Sequence, residues 1–311
     1  MTITAWAVTT GEVGMRTQAR GLAQAVADEV IEKTVGAGWA WPWGPAGAEG
    51  LAPPWPDILI TCGRRSAART AVARKASGGR TLTVHVQDPR ARAGDFDLIV
   101  AMAHDAIAEG GHVIKVATAL HDLTPAALAE AAAAWGPRFA DLPRPLVGVV
   151  IGGDLRGRAF TLADAERLLA GLDRLRREAG AGLAITPSRR TPPAVRELLS
   201  ATYGADPRAY LWDLAGDNPY RAILALSDRL VVTSDSVSMV SEALSAPHPV
   251  EVFDLGFARH TSFVQGLVDR RLARRFEGDP AAPVTRGPVN ATLQAAEAVR
   301  ALLQARTGVV G

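Results

Sequence analysis

Short apolar runs of strand length, each closed by a glycine, a proline or a polar turn, recur along this 311-residue chain and alternate with runs of helix length. That rhythm constrains the fold more than any other feature. Strands that are apolar throughout are buried on both faces, and the helices between them cover a parallel sheet. In the first half the strand-like runs fall at 3–9, 57–61, 81–86, 98–102 and 113–116, with helical runs at 15–30 and 64–76. After Pro137, Pro143 and Pro145, whose segment 135–145 reads as a linker, the pattern restarts. Strand-like runs then fall at 146–151, 182–186, 209–212, 230–233 and 250–253, and helical runs at 162–178, 193–203, 237–244 and 290–304. The expected fold class is α/β: two Rossmann-like domains, 1–140 and 141–289, facing across a cleft.

Composition narrows the class of function. Hydrophobic residues make up 48% and charged residues 21%, which suits a globular chain with ample core. The formal charge of +2 gives no support for nucleic acid as a partner. Lysine stands only at Lys33, Lys75 and Lys115, so the other basic residues are arginines. This is either a codon bias or a preference for phosphate-bearing ligands. The single Cys62 excludes a disulfide framework, and no histidine pair has zinc-site spacing, so no metal is expected. The N-terminus lacks the pattern of a signal peptide, and no apolar run is long enough to span a bilayer. The expected location is cytoplasmic, with peripheral contact at the inner membrane left open by Trp39, Trp41, Trp43 and Trp55 in the proline-rich stretch 39–56.

Four loops at expected strand ends carry the side chains for chemistry. Gly11, Glu12 and Gly14 precede a helix; Glu12 reads either as a general base or as a helix-capping acid. Gln87 and Asp88 precede Pro89, and Asp88 either meets an acceptor hydroxyl or shapes the turn. Ser188, Arg189, Arg190 and Thr191 form a hydroxyl-flanked arginine pair before a helix, suited to a diphosphate or else simply solvated. Asp235, Ser236, Ser238, Met239 and Glu242 run from a strand into a helix. They could hold phosphate and ribose, or serve as cap and first-turn acid. The strand at 146–151 ends in Gly152 and Gly153. His121 is a candidate to face the cleft on the acceptor side. Cys62, before Gly63-Arg64-Arg65, is either a thiol of lowered pKa or a buried structural one.

Taken together these stretches resemble the mitochondrial-fission ELM1-like family, also described in bacteria as glycosyltransferase-like. The matching residues are Gly11-Glu12-Val13-Gly14-Met15 with Gln18-Ala19, Thr61-Cys62-Gly63-Arg64-Arg65, Gln87-Asp88-Pro89-Arg90 and Thr186-Pro187-Ser188-Arg189-Arg190-Thr191-Pro192. Asn218-Pro219-Tyr220 and Thr233-Ser234-Asp235-Ser236-Val237-Ser238-Met239 with Ser241-Glu242-Ala243 complete the set. The resemblance implies a GT-B-like architecture in which the second domain holds a nucleotide-sugar donor, with Glu242 on the ribose. It also implies that the last helix, 290–311, packs back on the first domain.

The function this implies is metal-independent transfer of a sugar from a nucleotide-sugar, without a further cofactor, to a cell-envelope glycan or lipid-linked acceptor. Glu12 and Asp88 would be catalytic. Gly152, Gly153, Ser188, Arg189, Arg190, Thr191, Asn218, Asp235, Ser236, Ser238, Met239 and Glu242 would bind the donor. Gly11, Gly14, Gln87 and His121 would lie on the acceptor side. Two alternatives stand beside it: a non-catalytic adaptor with a relic cleft, in line with the family's plant members, and a nucleotide-sugar epimerase. Fold alone does not choose among them.

Overall fold

Twelve strands among the described residues form two six-stranded sheets in which every pairing is parallel. The computed structural model describes residues 2–36, 51–90, 93–155, 157–281 and 287–308. The expected loop containing Trp39, Trp41 and Trp43 lies outside them. The chain divides into two compact units, residues 1–122 with 290–311, and residues 123–289.

The first unit is built from β1 (Thr4–Thr9), α1 (Val13–Val26), β2 (Glu29–Thr34), β3 (Ile58–Cys62), α2 (Arg64–Ala76), β4 (Leu82–Val86), β5 (Leu98–Met102) and β6 (Val113–Val116). The sheet order is β2-β1-β3-β4-β5-β6. β3, β4 and β5 are buried at every position, as apolar strands covered on both sides must be. Their core partners include Ala19, Leu22 and Ala23 of α1 and Ala291, Ala295, Ala296 and Val299 of the last helix. The small side chains bring the two helices close together over the sheet.

β2 replaces the end of the helix expected at 15–30. α1 stops at Val26, and Asp28 turns back to accept a hydrogen bond from the Ile3 backbone N–H at 2.8 Å. β2 is an edge strand with Glu29, Glu32 and Lys33, the charged dress that keeps an edge from pairing further.

The second unit holds α3 (Pro125–Phe139), β7 (Leu146–Ile151), α4 (Leu162–Glu178), β8 (Gly182–Pro187), α5 (Pro193–Tyr203) and β9 (Ala209–Leu211). It continues with α6 (Tyr220–Leu226), β10 (Arg229–Thr233), α7 (Val237–Leu244), β11 (Val250–Phe253), α8 (Ala258–Asp269) and β12 (Arg274–Arg275). Its sheet order is β12-β11-β10-β7-β8-β9. α4 starts with a reciprocal capping box between Thr161 and Asp164.

The boundary expected at residue 140 is corrected to 122. The first part of the segment read as a linker, residues 135–139, is the end of α3, a helix capped by Thr124, which accepts from the Ala127 N–H at 3.1 Å. α3 belongs to the second unit, where Trp135 and Phe139 pack on Tyr210 of β9 with ring centroids 6.0 and 5.1 Å apart. The last helix, α9 (Ala291–Thr307), lies in the first unit. Thr292 of α9 exchanges two hydrogen bonds, 2.9 and 2.8 Å, with the backbone of His121.

Among the described residues no helix is long and apolar enough to cross a membrane.

Candidate functional site

In an open parallel sheet the crevice for a ligand lies beyond the carboxyl ends of the strands, where successive connections depart to opposite sides. In the second unit that point lies at β7, flanked by β10 and β8. Register brings the strand ends level: Val150 lies opposite Val232, and Ile151 opposite Pro187. The loops 152–161, 188–192 and 234–236 therefore emerge side by side.

Asp235 ties these loops together. It is 1% exposed, and its carboxylate accepts from the Gly153 N–H at 2.9 Å, from Thr233 Oγ1 at 2.6 Å and from Arg190 Nη2 at 2.9 Å. The Gly152 N–H donates to Thr233 Oγ1 at 2.8 Å. Arg190 Nη1 reaches the Asp154 carbonyl at 3.2 Å. Thr191 Oγ1 donates to the Gly152 carbonyl and accepts from the Ser188 N–H, while Ser188 Oγ accepts from the Arg190 N–H at 3.2 Å. The loops touch so closely that only glycine fits. A Cβ on Gly152 would stand 1.9 Å from Asp235 Oδ2, and one on Gly153 1.9 Å from the Arg190 carbonyl oxygen.

Several roles expected from the sequence are therefore corrected. The Gly152 amide is taken up by Thr233 Oγ1 and the Gly153 amide by the Asp235 carboxylate, so these groups join the loops that build the site. Thr191 is buried and fastens its turn. Ser236 is the N-cap of α7, accepting from the Met239 N–H at 3.3 Å. Asn218 accepts from the Tyr220 N–H at 3.0 Å and shapes the start of α6. What the framework presents outward is Arg189, which is exposed, Arg190, whose side chain is 45% exposed, and half-buried Ser188 and Ser238. α5 adds a start with no side-chain cap. These groups have the character of an anion site.

Glu242 is half-buried on α7, one turn and a half beyond Ser236, and accepts a hydrogen bond from the Tyr220 hydroxyl at 2.6 Å. Tyr220 received no role from the sequence, although it closes the Asn218-Pro219-Tyr220 stretch. A second feature that sequence reasoning missed is a groove of about 310 Å³ next to the arginine turn. It is lined by Pro187, Pro193, Arg196, Leu211, Trp212 and Leu214 among others. The Trp212 indole N–H donates to the Ala215 carbonyl at 2.8 Å. A tryptophan closing the strand-like run 209–212 was the available signal.

In the first unit the corresponding point lies between β1 and β3. Glu12 stands there, exposed, accepting from Thr10 Oγ1 at 2.5 Å with Arg65 Nη1 at 3.7 Å. The Thr10 hydroxyl, helped by a backbone hydrogen bond and by Arg65, holds its carboxyl below the usual carboxylate range, so it is ionised at neutral pH. Gly11 precedes it in the turn, and Gly14 is exposed in the first turn of α1.

Asp88 is nearly buried and accepts from the Arg90 N–H at 2.7 Å, the contact expected of a carboxylate that shapes its turn. Gln87 and Arg90 adopt left-handed backbone conformations, φ 84° and 66°, a strained rim of order 1–3 kcal/mol per residue. His121, expected to face a cleft, is instead buried and carries the α9 tie described above. Cys62 is buried, and burial pushes its thiol pKa up, in line with the reading of a buried structural thiol. Among the described residues no three His, Cys, Asp or Glu side chains gather as a metal site.

His85 on β4 gives a measurable consequence. Its ring is fully buried, 4.7 Å from the Phe96 ring centroid, with Nδ1 2.8 Å from Thr61 Oγ1. Burial pushes its pKa down to about 3, against the opposing charge of Asp88. The unfolded imidazole titrates at about 6.5, so its contribution to stability is complete above that pH and is lost as pH falls toward the folded value. Between pH 6.5 and 5 the wild type is expected to lose about 2 kcal/mol of unfolding free energy. His85→Gln should flatten that slope. Urea titrations across this range check it, and equal slopes in the two proteins would contradict it.

Comparison with known proteins agrees with this architecture. The family model described as Mitochondrial fission ELM1 matches residues 13–303. The Mitochondrial fission protein ELM1 of Arabidopsis thaliana is 31% identical over 277 residues, 81% of this chain and 65% of its own length. The chain thus spans just under two thirds of that relative. Among solved structures, the UDP-GlcNAc 2-epimerase of Methanocaldococcus jannaschii superposes with a TM-score of 0.58 at 13% identity, covering 97% of this chain and 99% of its own. The same enzyme in complex with UDP-GlcNAc and UDP gives 0.52 at 12% identity, with the same coverage. The glycotransferase of kitacinnamycin gives 0.57 at 12% identity, covering 97% and 99%. These likenesses establish a GT-B fold of two Rossmann-like units. By the extent of the family match and the identity to its plant member, the chain belongs to the Mitochondrial fission ELM1 family.

Proposed function

We propose that the second unit binds the nucleoside diphosphate of a nucleotide-activated sugar and that the protein transfers that sugar to a hydroxyl acceptor. The observation that carries this reading is the arginine turn at the end of β8, tied by Arg190 to Asp235 at the end of β10 across the end of β7, with Arg189 exposed. In the transfer the bond from the sugar's anomeric carbon to the phosphate oxygen breaks. The acceptor oxygen bonds to that carbon, and its proton passes to a base. The leaving diphosphate gains charge, which the guanidinium groups and the starts of α5 and α7 neutralise. Metal-independent transfer is consistent with that supply of positive charge.

The Trp212 groove abuts the arginine turn and offers an aromatic wall for the base. Glu12, ionised and hydrogen-bonded, is the side chain we assign to the acceptor hydroxyl. A cell-envelope or lipid-linked acceptor is the class we favour, with the protein on the cytoplasmic face of the membrane.

The family's description favours a second reading, a binding protein without turnover. Titration with UDP, GDP and ADP, followed by incubation with the matching nucleotide-sugars, separates the possibilities. One nucleoside diphosphate should bind, and Arg189→Ala should weaken it at least ~10-fold, the loss of one charge-assisted contact. Release of that diphosphate only when an acceptor is present marks transfer. Isomerised sugar without acceptor marks an epimerase, and tight binding without products marks the binding protein. No binding by any of the three ends the reading.

A further inference from the structure

A ribose-binding glutamate has to be held still, because three side-chain torsions otherwise let its carboxylate sample many orientations. Tyr220 supplies that restraint from outside the helix that carries Glu242. It is the first residue of α6, twenty-two positions earlier in the chain, and its hydroxyl donates to Glu242 Oε2 at 2.6 Å. The tyrosine is itself fixed: Asn218 accepts from its backbone N–H at 3.0 Å, and the next turn buries Ala222, Ile223 and Leu224. We infer that Tyr220 is a positioning residue. It holds the Glu242 carboxylate in the orientation that accepts the ribose hydroxyls of the bound nucleotide.

The inference rests on the reading that the second unit takes a nucleoside diphosphate. Burial, then the charge of Glu242 and the hydrogen bond to it, raise the Tyr220 pKa well above the ordinary phenol value. The tyrosine therefore keeps its proton and acts as a donor across the neutral range.

The test is calorimetric titration of wild type, Tyr220→Phe and Glu242→Gln with UDP, GDP and ADP and with their 2′-deoxy counterparts. The wild type should prefer the ribonucleotide about 10-fold. Tyr220→Phe should lose most of that preference while its affinity for the deoxynucleotide stays within about twofold, a pattern that general loosening of the fold does not give. Glu242→Gln should behave alike. A Tyr220→Phe protein with the full wild-type preference overturns the inference and leaves the nucleotide site standing. Equal binding of ribo and deoxy forms by the wild type overturns it too. Absence of any binding overturns both.

A readout without nucleotide is available because the chain has 3 tyrosines. Their alkaline absorbance titration, with the Tyr220→Phe curve subtracted, should show one phenol that ionises late in the wild type and earlier in Glu242→Gln. No difference between those two proteins overturns the inference.

Discussion

Asp235→Ala is expected to destabilise the second unit by about 3–5 kcal/mol and to abolish nucleotide binding together. The substitution leaves the buried Gly153 N–H and the Thr233 hydroxyl without their acceptor. Each unsatisfied group costs about 1–3 kcal/mol. It also releases Arg190, half-exposed, to wander in solvent. A sharper result follows from Gly152. Gly152→Ala alone puts a methyl group 1.9 Å from Asp235 Oδ2, and its three nearest neighbours are all atoms of that side chain. Alone it should cost at least ~3 kcal/mol, at the upper end of overpacking. In the Asp235→Ala background the obstacle is gone, and the same methyl should fill the space left behind. The double mutant should therefore be more stable than the sum of the single effects by about 1–3 kcal/mol. Urea unfolding of the four proteins measures it. Additivity within about 0.5 kcal/mol would show that Asp235 does not hold these loops as described.

A similar loss is expected from Glu251→Ala, at the opposite end of the same sheet. Glu251 is 0% exposed and accepts from Arg229 Nε and from Arg274 Nε, the latter at 2.6 Å. Arg229, itself buried, donates through Nη2 to the Asp279 carbonyl at 2.9 Å. The cluster joins β10, β11 and β12. Removing the carboxylate leaves a guanidinium in the interior without its counter-charge, which costs about 3–5 kcal/mol. Replacing the pair with apolar residues of similar volume, Arg229→Met with Glu251→Leu, should recover most of that loss. Nucleotide affinity should be unchanged in the double variant, because the cluster sits at the start of the strands and the site at their ends. A Glu251→Ala protein as stable as wild type would contradict this account of the sheet's edge.

The strands of both sheets were legible because parallel strands covered on both faces must be apolar along their length. Val147, Val149 and Ile151 or Ile58 and Ile60 leave little alternative. Elements that depart from this rule were missed. β2 is an edge strand rich in charge, and α3 contains Pro137, which reads as a break until its packing on Tyr210 is known.

The loops that make the candidate site were also legible, since glycines, hydroxyls and arginines cluster directly after strands. Which of those side chains turn inward was not. Asp235 and Asp88 look alike in the sequence to groups that meet a ligand, yet neighbouring loops and their own turns claim them. The Tyr220–Glu242 bond joins two helices, and only the fold brings them together.

The central claim is that the ends of β7, β8 and β10 receive a nucleoside diphosphate. Backbone amide resonances of the isotopically labelled protein, followed during titration with UDP, GDP and ADP, test it most directly. One of the three should shift Ser188, Arg189, Arg190, Ser238 and Glu242, with the Trp212 indole N–H among the largest changes. Shifts confined to other surfaces, or none with any of the three, would contradict it.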